Sequence, residues 1–163
     1  MKILMLLRHA KSSWDDPSLR DFDRPLAPRG NKAAPRMGKA LAKSGPLPDL
    51  VVSSPATRAR QTIELFISSA GLSLSPQFEE SIYAASSAEL MKIVLTLPDA
   101  SGCALLVGHN PGFEDLLARL TGSFERMPTA ALACIEFSAD RWGDIEDGKG
   151  RLNWLLTPKD LKK

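Results

Sequence analysis

A chain of 163 residues is long enough to bury a core in one domain without disulfide or metal staples, and 1–163 reads as a single domain. Its 44% hydrophobic and 25% charged residues give an ordinary globular composition, with no low-complexity tract, repeat or linker. With 21 Lys and Arg against 19 Asp and Glu the net charge is only +2, which argues against a general nucleic-acid or membrane surface and leaves room for a local arginine cluster.

Ile3 to Leu7 is a continuous apolar run, the pattern of a strand covered on both faces, and it stops abruptly at Arg8 and His9. The run is too short for a secretion signal or a membrane span, so a cytoplasmic location is expected. The stretch 11–29 is polar and broken by Pro17, Pro25 and Pro28. It is long for a loop in a compact domain and is expected to lie over the mouth of a site. A helix follows with Ala33, Ala34, Met37, Ala40 and Leu41 on one face, and Pro35 either starts it or distorts its first turn. Asp49 to Ser53 reads as a second short buried strand. Ser54 as N-cap and Pro55 as first helical residue then open a helix with Ala59, Ile63, Phe66, Ile67 and Ala70 inward, ending at Gly71.

Leu72 to Phe78 gives a weak third strand. Ser86 with Glu89 makes a capping box for a helix facing inward through Leu90, Ile93, Val94 and Leu97. Cys103 to Val107 is a fourth buried strand ending at Gly108 and His109, and Asn110-Pro111 repeats the cap-then-proline signal before Phe113, Leu116, Leu117 and Leu120, with Gly122 beyond the end of that helix. Cys103 and Cys134 lack metal-ligand spacing and read as buried, reduced thiols. Ala131 to Phe137 and Leu152 to Leu156 read as two final strands, at least one antiparallel. The strand and helix alternation implies an α/β fold, a three-layer α/β/α sandwich with a mostly parallel sheet.

The only two histidines each follow an apolar strand, at the end where open α/β sheets bind ligands. With those strands adjacent, the crevice collects Arg8, His9, Arg58 at the start of its helix, and His109. Two arginines, two imidazoles and two helix N-termini suit a dianion, of which phosphate is the common one. No P-loop glycine pattern and no carboxylate cluster suited to Mg²⁺ is present, so no cofactor and no metal are expected. A histidine nucleophile then attacks phosphorus directly, with arginines offsetting charge on the transferring oxygens.

Leu7-Arg8-His9-Ala10, Ser53-Ser54-Pro55-x-x-Arg58-Ala59-x-Gln61-Thr62 and Val107-Gly108-His109-Asn110-Pro111 resemble, in order and spacing, the three signatures of the histidine phosphatase superfamily, whose fold is the phosphoglycerate mutase-like one. Lys11-Ser12-Ser13-Trp14, Asp23-Arg24-Pro25-Leu26 and Pro128-Thr129-Ala130 are similar to the SixA type of phosphohistidine phosphatase. The resemblance implies His9 as the nucleophile, Arg8, Arg58 and His109 as phosphoryl-binding groups, and Glu80, three residues before Tyr83, as general acid. It selects Arg58 over Arg60, which points away by about 200° and reads as a solvated charge. Ala10 replaces the usual glycine, and Asp15 stands where the mutases carry an asparagine, so Asp15 is not assigned to binding. The long insertion that caps the pocket in mutases is absent, which suits a phosphate presented on a protein surface. The expected substrate is therefore a phosphohistidine-bearing protein domain, acted on by a monomer. A general phosphomonoesterase for small molecules, and a phosphate-binding module without turnover, are the alternatives.

Overall fold

The computed structural model describes residues 1–161. Six strands form one sheet: β1 (Lys2–Arg8), β2 (Leu50–Ser53), β3 (Gln77–Phe78), β4 (Cys103–Gly108), β5 (Leu132–Phe137) and β6 (Arg151–Leu156), in the order β3-β2-β4-β1-β5-β6. β1 to β4 are mutually parallel, and β5 alone runs against the rest. Four helices cover the two faces: α1 (Pro28–Ser44), α2 (Thr57–Ala70), α3 (Ser87–Leu95) and α4 (Gly112–Thr121).

Alternation along β1 explains the layering. Met5 and Leu7 face α1 and α2 together with Leu105 and Val107 of β4. Leu4 and Leu6 face α3 and α4 together with Ala104 and Leu106. The apolar run needs no polar partner on either side because both faces are core, and each fully buried leucine contributes roughly 1.5–3 kcal/mol. No helix among the described residues is long and apolar enough to cross a membrane.

Several boundaries differ from the sequence reading. α1 begins at Pro28, inside the expected loop, and carries Pro35 in its interior. Pro35 removes one helical bond, that of the Asn31 carbonyl, and Asn31 is exposed, so water can serve that carbonyl. The third strand shrinks to Gln77 and Phe78, paired with Val52 and Ser53. Pro76 cannot donate to a ladder and blocks its extension. α2 starts at Thr57 rather than Pro55, and α4 at Gly112 rather than Pro111, because Ser54 and Asn110 spend their side chains elsewhere. The capping box at Ser86 and the left-handed glycine stops at Gly71 and Gly122 form as expected.

Candidate active site

β1 and β4 are register neighbours, with Arg8 opposite Gly108, so the residues that follow them emerge side by side. The His9 N–H donates to the Gly108 carbonyl at 3.0 Å, and the two imidazole centroids lie 5.2 Å apart. The helix after β1 covers one face of the sheet and the helix after β4 covers the other. That divergence opens a crevice at the carboxyl ends of these strands, as in other open α/β sheets. Gly108 is closely packed: a Cβ there would lie 2.7 Å from the Phe113 ring and 2.9 Å from Ile82, so either side chain would have to shift.

Both histidines are nearly enclosed, His9 at 6% and His109 at 8% exposure. His9 Nδ1 lies 2.7 Å from the Ala10 carbonyl, which can only accept, so Nδ1 carries the proton and the neutral ring keeps its lone pair on Nε2. Burial is the main cause that lowers the His9 pKa to about 3, with His109, Arg58 and Arg8 adding to it. His109 is lowered to about 4, again first by burial and then by Arg58. Both rings are neutral at pH 7. Ser54 Oγ accepts from the Ala56 N–H at 3.2 Å and lies 2.8 Å from His109 Nε2, to which its hydroxyl can donate. The proton of His109 then resides on Nδ1.

The arginines converge from different elements. Arg8 ends β1 and donates to the Met127 carbonyl at 3.1 Å. Arg58, in the first turn of α2 and 6% exposed, donates to the Asp21 carbonyl at 2.7 Å and to Asp21 Oδ2 at 3.0 Å. Arg8 Nε, Arg58 Nε and His109 Nδ1 are buried without a protein hydrogen-bond partner. Three donors left over in one crevice, on a positively charged background, are what an anion requires.

Thr62 ties the parts together. Its hydroxyl accepts from the Ala10 N–H at 3.0 Å and donates to the Arg58 carbonyl at 2.7 Å, linking the segment after His9 to the helix that carries Arg58. The stretch 11–29 lies over the site as expected. Asp21 accepts from Arg58, from the Tyr83 hydroxyl at 2.6 Å and from Arg24 at 3.2 Å, and the Tyr83 bond leads the causes that hold its carboxyl down at about 2. Arg24 is buried, donates to Ser12 Oγ and stacks 3.5 Å from the exposed Trp14 ring. A cavity of about 480 Å³ with His109 in its wall is lined by Asp21, Arg58, Tyr83, Ser86 and Asn110 among others.

Four of the five singled-out residues, Arg8, His9, Arg58 and His109, therefore meet. Glu80 joins them through no hydrogen bond: it is exposed in a short helical turn that follows Glu79. Arg60 is exposed and stacks over Phe78 at 4.2 Å, as a solvated charge would. Asp15 is exposed as well. Among the described residues no three His, Cys, Asp or Glu side chains cluster as a metal site, and both cysteines are free and buried. Sequence reasoning assigned no site role to Asp21, Arg24, Ser54, Thr62, Tyr83 or Asn110. Ser54 and Asn110 looked like helix caps, and Asp21 sits in a loop whose path no local signal predicts.

The family model for the histidine phosphatase superfamily (branch 1) matches residues 4–84. The chain belongs to that superfamily, and at the level this settles it is a phosphatase, a hydrolase of phosphoryl groups. Among solved structures it is similar to a candidate phosphohistidine phosphatase SixA from Agrobacterium tumefaciens, at TM-score 0.84 and 29% identity over 96% of this chain and 98% of that one. The protein histidine phosphatase SixA complexed with tungstate shares the fold at TM-score 0.84, with 24% identity over 98% of this chain and 99% of that one. An uncharacterized chloroplastic protein of Arabidopsis thaliana is 33% identical over 94% of this chain and 74% of its own length.

Proposed function

We propose that this protein is a metal-independent phosphohistidine phosphatase in which His9 is transiently phosphorylated. The observation that carries the reading is the hydrogen bond from His9 Nδ1 to the Ala10 carbonyl at 2.7 Å, which leaves Nε2 as a lone-pair nitrogen on a ring beside His109 and within the field of Arg58 and Arg8. Nε2 forms a bond to phosphorus as the P–N bond of the substrate breaks. The substrate imidazole, protonated on its other ring nitrogen, leaves neutral. Water then adds to phosphorus, the P–Nε2 bond breaks, and inorganic phosphate leaves as a proton passes to solvent. Arg8, Arg58 and His109 donate to the phosphoryl oxygens, which carry most of the charge in transfer.

Two observations favour a phosphohistidine on a protein over a small ester. The cavity rim at Asp21, Ser86, Glu89 and Asp115 is exposed, which suits a phosphoryl group presented on a bulky partner. A protonated imidazole leaves more readily than an alkoxide and asks less of a positioned acid, and Glu80, the acid that the resemblance implies, is exposed. The likeness to SixA proteins supports the same choice.

Single-turnover transfer from a phosphohistidine peptide, in EDTA, tests the reading. Wild type should form an acid-labile, base-stable phosphoenzyme that His9→Ala cannot form, while Glu80→Gln should transfer at close to the wild-type rate. Transfer that survives in His9→Ala would refute the nucleophile. Rapid hydrolysis of a small phosphate ester without phosphohistidine turnover would move the function to a phosphomonoesterase. Retention of phosphate without a covalent adduct would indicate a binding module.

A further inference from the structure

A second groove, of about 560 Å³, is lined by five cationic side chains, Lys11, Arg29, Lys32, Arg36 and Lys159. Among the described residues no carboxylate lines it. The cations are not incidental surface charge. α1 contains five Lys and Arg and no Asp or Glu, and Arg29, Lys32 and Arg36 are spaced to form one stripe on it. Two of them lie near the helix N-terminus, where the backbone dipole disfavours positive charge, and like charges three and four residues apart repel each other. Local stability would favour acids at these positions.

None of the five forms a carboxylate ion pair among the described residues. Arg36 donates only to the Leu161 carbonyl, and neighbouring Asp160 is turned to the Thr157 N–H and hydroxyl. Arg29, Lys32, Arg36 and Lys159 are exposed.

The groove is built onto the catalytic segment. Lys11 stands two residues after His9, and its carbonyl accepts from the Ala27 N–H at 2.8 Å. The first turn of α1 closes tightly on the same carbonyl, which would lie 2.2 Å from a Cβ at Gly30. The opposite wall, Pro128 and Thr129, leads directly to Ala130, whose N–H donates to the His9 carbonyl at 3.0 Å. Both walls are thus tied to the backbone next to His9, and one substrate can span site and groove.

We propose that this groove docks an acidic stretch of the protein that presents the phosphohistidine, so that the preferred substrates carry Glu or Asp beside the phosphorylated histidine. The inference rests on the phosphohistidine reading of the site. Charge complementarity sets the occupant. A phosphohistidine surface rich in carboxylates would be steered to unpaired cations in a groove tied to the His9 segment.

Two synthetic peptides, chemically phosphorylated on one histidine and differing only in having Glu or Gln around it, test the proposal alongside free phosphohistidine. Wild type should prefer the Glu peptide by about tenfold in kcat/KM, through KM, and the preference should fade as salt rises. Arg29→Glu/Lys32→Glu should abolish the preference while turning over free phosphohistidine as wild type does. Its Tm should not fall, since acids near a helix N-terminus favour the dipole. Equal use of both peptides by wild type would overturn the groove assignment and leave the phosphohistidine reading standing. An equal loss on all three substrates in the variant would overturn it too. Retention of the protein on RNA or phosphatidylglycerol vesicles, without peptide preference, would assign the cations to another anion. Failure of wild type on every phosphohistidine substrate would remove the functional reading and the groove proposal with it.

Discussion

Thr62→Val changes a hydroxyl to a methyl at nearly constant volume, at the point where α2 meets the His9 segment. In wild type the Thr62 hydroxyl accepts from the Ala10 N–H at 3.0 Å and donates to the Arg58 carbonyl at 2.7 Å. The Arg58 carbonyl keeps its helical partner in the variant, so its loss is small. The Ala10 N–H has no such reserve: Ala10 is completely buried, and an unsatisfied buried donor costs about 1–3 kcal/mol. Taking about 2 kcal/mol, Tm should fall by roughly 4–8 °C for a domain of this size. The activity loss should be larger than stability alone implies. The Ala10 carbonyl orients His9 Nδ1, so slack at Ala10 turns His9 Nε2 away from phosphorus, and a misplacement near 1 Å can cost about 100-fold. Urea denaturation and single-turnover phosphoryl transfer measure the two effects, with Thr62→Ser as the control that retains the hydroxyl. Full stability and full rate in Thr62→Val, or an equal deficit in Thr62→Ser, would refute the argument.

The two buried imidazoles make stability depend on pH. Their folded pKa values, about 3 and about 4, lie below the ordinary 6.5, so the unfolded chain binds protons that the folded chain resists. Stability should be complete above about pH 6.5 and fall by on the order of a few kcal/mol toward pH 4, and a flat Tm across that window would contradict it. The acid limb of kcat/KM should lie below about pH 5, and a limb near 7 would show that His9 is not held neutral by burial. Ser54→Ala removes the partner of both His109 Nε2 and the Ala56 N–H, and should raise the inhibition constant of inorganic phosphate about tenfold, with a loss of roughly 1–3 kcal/mol in urea. An unchanged phosphate constant would separate Ser54 from anion binding. Gly108→Ala drives a methyl into Phe113 and Ile82 and should cost about 1–3 kcal/mol, whereas wild-type stability would mean that the neighbours can yield.

The sequence alone determined the elements that local chemistry specifies. An apolar run ending in Arg8 and His9 is a buried strand in any fold that can bury it, a Ser86 and Glu89 pair is a helix start wherever the helix goes, and Gly71 and Gly122 stop their helices because they accept left-handed backbone. Two histidines after two such strands pointed to a common crevice, and motif order named Arg58. Tertiary structure decided what no local pattern encodes. The pairing of β1 with β4 sets the 5.2 Å between the imidazoles, and only that pairing makes the site. Side chains with two competing partners were misread for the same reason. Ser54 and Asn110 are good helix caps by local preference, yet Ser54 Oγ serves His109 Nε2 and Asn110 donates to the Met127 carbonyl, far along the chain. Asp21 lies in an irregular loop whose path is set by contacts with Arg58, Tyr83 and Arg24 rather than by its own residues. Backbone propensity acts over a few residues, while the partners of a buried polar group are chosen by the packing of the whole sheet.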